Sequence, residues 1–145
     1  MEVTLFIVPI AIILVISIYT DLKSKKIYNW ITFPSMLYFS LFHLVFNLEE
    51  ILAYILGFLL VGGICFLIAM FTNSLGGGDI KLLALLGLAF GIDPGFHILL
   101  YSYLLTAFIA VPILILKKIN PDKMYIKEIP MAPFIALGTF IVYIA

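Results

Sequence analysis

The sequence contains no arginine and a single cysteine, Cys65. One thiol closes no disulfide within the chain and builds no multi-cysteine zinc site. Its place inside an apolar run reads as a small buried hydrophobe. Charge of either sign is scarce: 11% of the 145 residues are charged, against 65% hydrophobic. Eight basic and eight acidic residues cannot clothe a soluble domain of this length. The formal net charge of zero says little about partners by itself, because the charges are segregated along the chain. No basic stretch precedes the first apolar run and no small-residue cleavage pattern follows it, so that run does not read as a signal peptide. Linkers, low-complexity tracts and convincing internal repeats are also lacking.

What the chain does have is hydrophobic runs, which at this density imply an all-α polytopic membrane protein in contact with the lipid bilayer. The apolar segments are Val3 to Thr20, Trp30 to Asn47, Ile51 to Thr72, Ile80 to Ile92, Phe96 to Leu116 and Pro130 to Ala145. About 20 helical residues cross a hydrocarbon core roughly 30 Å thick, so the fourth and the sixth are short. Trp30 opens the second as an interfacial aromatic. Gly57, Gly62 and Gly63 suit close helix approach in the third, and Pro112 is a candidate kink in the fifth. Between the segments, Asp21 to Asn29 reads as a polar loop, Gly91 to Gly95 as a turn, and Lys117 to Ile129 as the longest loop. The expected fold is a six-transmembrane-helix bundle forming a single integral-membrane domain over residues 1–145.

The lysines orient that bundle. With six crossings, the loops after the first, third and fifth spans share one side. All eight lysines (Lys23, Lys25, Lys26, Lys81, Lys117, Lys118, Lys123 and Lys127) fall in or beside those loops. The other side holds Glu2, Glu49, Glu50 and Asp93, without a lysine. Lysine in short loops marks the cytoplasmic side, which predicts a multi-pass cell-membrane protein with both termini outside.

Against this apolar background one stretch stands out, Gly76-Gly77-Gly78-Asp79-Ile80-Lys81-Leu82. Three glycines deliver a carboxylate and a lysine to the head of the fourth segment, and glycine permits tight turning and close approach. An ionisable residue at such a point is a functional-site candidate. A second acid, Asp21, ends the first span on the same predicted side. The topology therefore sets Asp21 and Asp79 at similar depth near one membrane face. Two neighbouring carboxylates do not readily both ionise, so such a pair shares a proton. A neutral acid beside an ionised one can activate water and protonate a leaving amine, without metal or cofactor.

Plainer readings stand beside this one. Asp79 after glycines is also a candidate helix N-cap, and Asp21 a candidate ion-pair partner of Lys23 or Lys25. Lys81 fits the positive-inside rule and is also placed to bias the charge on Asp79. His43 and His97 read as packing or interface residues, and the many Phe and Tyr residues as lipid-facing belts.

Taken together, these residues resemble the GxGD intramembrane aspartyl proteases, and within them the prepilin-type leader peptidases. The family's GxGD-x-Lys-Leu motif looks like Gly76-Gly77-Gly78-Asp79-Ile80-Lys81-Leu82. Its first aspartate, ahead of Ile-Pro-Asn, looks like Asp21 ahead of Ile27-Tyr28-Asn29, with tyrosine in place of proline. A third similarity is Ile129-Pro130-Met131-Ala132-Pro133-Phe134-Ile135-Ala136-Leu137-Gly138, which looks like the family's Pro-Phe-Gly-Pro-Phe segment with Met131 and Ala132 for the usual Phe-Gly. The three motifs keep the family order from Asp21 to Gly138.

The resemblance implies a membrane aspartic endopeptidase with a cytoplasmic-side active site. Asp21 and Asp79 would be its catalytic pair, and Gly76, Gly78 and Lys81 would support it or give the substrate room to approach. Its substrates would be type IV pilin-like precursors (prepilins, pseudopilins or archaeal preflagellins), cut between a short basic leader and a hydrophobic helix. No metal, cofactor or nucleic-acid partner is expected. Many bacterial members add an N-terminal tetracysteine zinc region and methylate the new N-terminus; this chain opens on its first span with one cysteine, so cleavage without methylation is expected. Two other classes fit the composition: a proton- or ion-coupled transporter using the acids as a relay, and a structural subunit of a secretion or pilus machine. Grouping of both acids at one face disfavours the relay.

Overall fold

A computed structural model describes residues 2–72, 76–119 and 129–145 of the chain. Most of the expected 117–129 loop, with Lys123 and Lys127, lies outside the described residues. Among those described, every regular element is helical: α1 (Glu2–Ser24), α2 (Asn29–Phe46), a 3-10 turn (Leu48–Glu50), α3 (Ile51–Thr72), α4 (Gly77–Phe90), α5 (Ile92–Ile119) and α6 (Ala132–Ile144). Three stretches among the described residues are long and apolar enough to cross a membrane: Val3–Ser24, Leu48–Phe71 and Ile92–Leu116. The 18-residue α2 is diluted by Asn29, Thr32, Ser35, Ser40 and His43, and α4 and α6 have 14 and 13 residues.

The fold is arranged around α4. Its run Leu82-Leu83-Ala84-Leu85-Leu86-Gly87-Leu88-Ala89 has no polar face and is buried throughout. A helix apolar all round must be enclosed, and here α2, α3 and α5 pack against it. The closest neighbour is α3. Gly57 and Gly87 face each other so tightly that a Cβ on either would strike the other's carbonyl, and a Cβ on Gly62 would lie 2.9 Å from that of Ala84. Small residues at these positions let the two backbones touch.

Three local expectations change. The predicted turn over Gly91 to Gly95 contracts to Gly91 alone. At φ 86° that residue occupies the left-handed region open to glycine, and α5 starts at Ile92. Pro94 is accommodated because the first turn of a helix needs no N–H from it. Similarly, Asp21 is not a loop residue: α1 continues to Ser24 and stops at Lys25, whose φ is 51° and whose N–H bonds the Asp21 carbonyl at 2.8 Å. Two residues beyond it comes buried Ile27, then Tyr28 with φ −80° and ψ 143°. Proline would hold much the same φ, so tyrosine at that position leaves the loop shape intact. The third change, at Asp79, belongs to the site below.

The far end of the bundle is an aromatic layer. Phe6 meets Phe39 and Phe90 edge-on, with centroids 5.6 and 5.3 Å apart. His43 is buried and stacks on Tyr54 at 3.6 Å. Its Nε2 lies 3.1 Å from the Ala89 carbonyl and its Nδ1 3.2 Å from the Asn47 amide. A neutral imidazole donating from Nε2 and accepting at Nδ1 satisfies both contacts, which makes His43 a packing residue as expected.

Candidate active site

At the opposite end, α1 finishes while α2, α4 and α6 begin. Helix starts leave backbone N–H groups without intrahelical partners and carry partial positive charge. The start of α6 uses one of them on Asp21: the Ala132 N–H donates to Asp21 Oδ2 at 2.8 Å. Asp21 is 5% exposed and Ala132 fully buried. Because the donor is a backbone group, the Ala132 side chain is immaterial to the bond. The alternative pairing with lysine is not what holds Asp21; Lys23 instead reaches the Tyr19 hydroxyl at 3.4 Å and lies over its ring.

Asp79 sits in the first turn of α4, but it is not the N-cap. Gly76 occupies that position, with Asp79 three residues on. The carboxylate folds back onto the Gly76 N–H, which is half of a capping box. A Cβ on Gly76 would lie 3.0 Å from Asp79 Oδ2, so the missing side chain leaves room for this fold-back. Asp79 Oδ1 is buried and has no hydrogen-bond partner among the described residues. Gly78 faces the other way. A Cβ there would meet the Ile27 Cβ at 2.9 Å and its backbone N and O at 3.1 Å, so glycine lets α4 seat directly on the α1–α2 loop.

Both carboxylates line one cavity of about 1040 Å³. They are near enough for the charge on Asp21 to act on Asp79. Gly76 and Gly78 share that wall, as do Lys25 and Lys26. Lys81 does not belong to it. Its Nζ donates to Asn29 Oδ1 at 2.8 Å and lies 5.1 Å above the Phe33 ring, tying α4 to the start of α2.

Sequence reasoning missed two contributors. One is the Ala132 N–H, whose signal was a helix start between Pro130 and Pro133, where free donors are inevitable. The other is Tyr103 on α5. Tyrosines were expected as lipid-facing belts, yet Tyr103 lines the cavity and its hydroxyl is buried. A phenol in an apolar helix has a polar tip that requires a partner, and that was the available signal. No cluster of three or more His, Cys, Asp or Glu side chains suited to a metal occurs among the described residues.

The profile of the type IV leader peptidase family matches residues 8–111, well over half of the chain. The chain belongs to that family. No curated protein and no solved structure matches it. This leader peptidase is thus a hydrolase of peptide bonds, and its three long apolar helices make it a membrane protein. The matched stretch includes Asp21, Asp79 and Tyr103, while α6 with its N–H to Asp21 lies beyond it.

Proposed function

We propose that this leader peptidase is an aspartic endopeptidase that removes the short basic leader from type IV pilin-like or archaeal flagellin-like precursors at the cytoplasmic membrane face. The observation that carries the reading is the pair of carboxylates, Asp21 and Asp79, on the wall of one cavity. In the working state one is ionised and the other protonated. The ionised acid takes a proton from water as the water oxygen attacks the scissile carbonyl carbon. The protonated acid passes its proton to the carbonyl oxygen, giving a tetrahedral diol. Collapse of the diol breaks the C–N bond, and the departing nitrogen leaves protonated as the new N-terminus. The pair acts as a unit, so neither role is tied to one residue.

The six helices are read as six crossings, with α4 shielded from lipid by its neighbours and both termini outside. Supporting this orientation, Lys25 and Lys26 border the cavity, and lysine marks the cytoplasmic side. A basic leader would be retained on that side by the same effect.

The test is co-expression with tagged pilin-like precursors carrying lysine-rich leaders, read by gel shift and N-terminal sequencing. Asp21→Asn and Asp79→Asn keep the shape of each side chain and are expected to abolish cleavage at unchanged membrane abundance. Cleavage that survives either substitution would refute the two-carboxylate mechanism.

A further inference from the structure

Two polar atoms at the cavity are buried without hydrogen-bond partners among the described residues, Asp79 Oδ1 and Tyr103 Oη. Orphaned buried polar atoms are uncommon in folded proteins, and each calls for a physical reason. These two are complementary, since a carboxylate oxygen accepts and a phenol donates. Both residues line the same cavity, and the charge on Asp79 acts on Tyr103 across it. The phenol also faces the thiol of fully buried Cys65, with which it can share only a weak hydrogen bond, so an oxygen acceptor would be the stronger partner. Asp21 differs in this respect, because the Ala132 N–H already holds it.

We propose that Tyr103 is a positioning residue for Asp79, its hydroxyl donating to Oδ1 directly or through one water and fixing the carboxyl for attack on the substrate. The inference rests on the two-carboxylate reading. The hydrogen bond is not made in this structure and forms as substrate enters the cavity, as catalytic hydrogen bonds commonly tighten in the complex. Tyr103 reaches the reaction only through Asp79, so its loss lowers turnover rather than substrate affinity.

The experiment uses the full chain in lipid nanodiscs and, as probe, a tagged precursor with a lysine-rich leader ahead of a hydrophobic helix. Tyr103→Phe is expected to lower kcat about 10- to 100-fold, the size of one lost hydrogen bond to a charged group, with KM within about twofold. Tyr103→Leu also removes the ring; it should lose kcat to the same extent and melt earlier. A kcat for Tyr103→Phe within about twofold of wild type overturns the proposal, as does a rise in KM alone. Failure of the underlying reading has a different signature, namely cleavage that persists in Asp79→Asn. An infrared readout that needs no turnover separates the two further. The Asp79 carboxyl band, identified by its loss in Asp79→Asn, should shift on forming a complex with an uncleavable statine-containing leader peptide. It should shift less in Tyr103→Phe, and equal shifts in both proteins overturn the proposal.

Discussion

Gly78→Ala tests how finely the fold must set Asp79. The added Cβ would stand 2.9 Å from the Ile27 Cβ and 3.1 Å from the Ile27 N and O. Carbon contacts are comfortable at about 3.5–4.0 Å, so the first turn of α4 must move off the loop by roughly 0.5 Å or more. Two of the three obstructing atoms are backbone and cannot rotate aside. Asp79 is the next residue and moves with the turn, whereas Asp21 stays with α1 and its bond to α6. Misplacing a reacting group by about 1 Å can cost about 100-fold, so a loss of roughly 10-fold or more in kcat is expected. Stability should change much less. Overpacking costs about 1–3 kcal/mol, and alanine in place of helical glycine returns up to about 1 kcal/mol. Gly63→Ala on α3 is the control, since a Cβ there meets nothing within 4 Å. Cleavage kinetics and thermal melting in nanodiscs measure both effects. Wild-type kcat in a folded Gly78→Ala protein would show that close seating of α4 on Ile27 does not govern the reaction.

Gly87→Ala should be the more destructive glycine substitution, because the new methyl drives into the Gly57 carbonyl at the α3–α4 contact; reduced membrane abundance and a lower melting temperature are expected. Lys81→Met removes the bond to Asn29, which lines the cavity, and the contact with Phe33, while neither carboxylate loses a partner. It is expected to cost about 1 kcal/mol or less and to lower cleavage by less than 10-fold, read by melting and kinetics. The orientation is testable with thiol reagents, since Cys65 is fully buried and gives a silent background. Cysteine at Lys26 should label only from the cytoplasmic side and cysteine at Glu49 only from outside, and the reverse pattern would overturn the topology.

The sequence by itself determined the class and pointed to the candidate acids. Long apolar runs without the charges to cover a soluble surface dictate membrane helices, because backbone polar groups in lipid must be satisfied within the segment. The glycine-rich approach to Asp79 and the lysine bias are local patterns, visible without coordinates. Asp21 and Asp79 could be singled out because a carboxylate among apolar residues needs a reason wherever the chain carries it. Helix ends were less legible: α1 continues past Asp21 and α5 begins next to Gly91, since packing and a single positive φ decided where each helix stops. The Asp79 side chain turned back to an N–H rather than forward from an N-cap, which depends on Gly76 occupying that cap. Only the tertiary structure decided which groups meet. It brought the start of α6 onto Asp21, set Tyr103 and Asp79 on the wall of one cavity, and turned Lys81 away to Asn29. Those contacts join residues far apart in the chain. They follow from how the helices pack across the bundle, so no local pattern carries them.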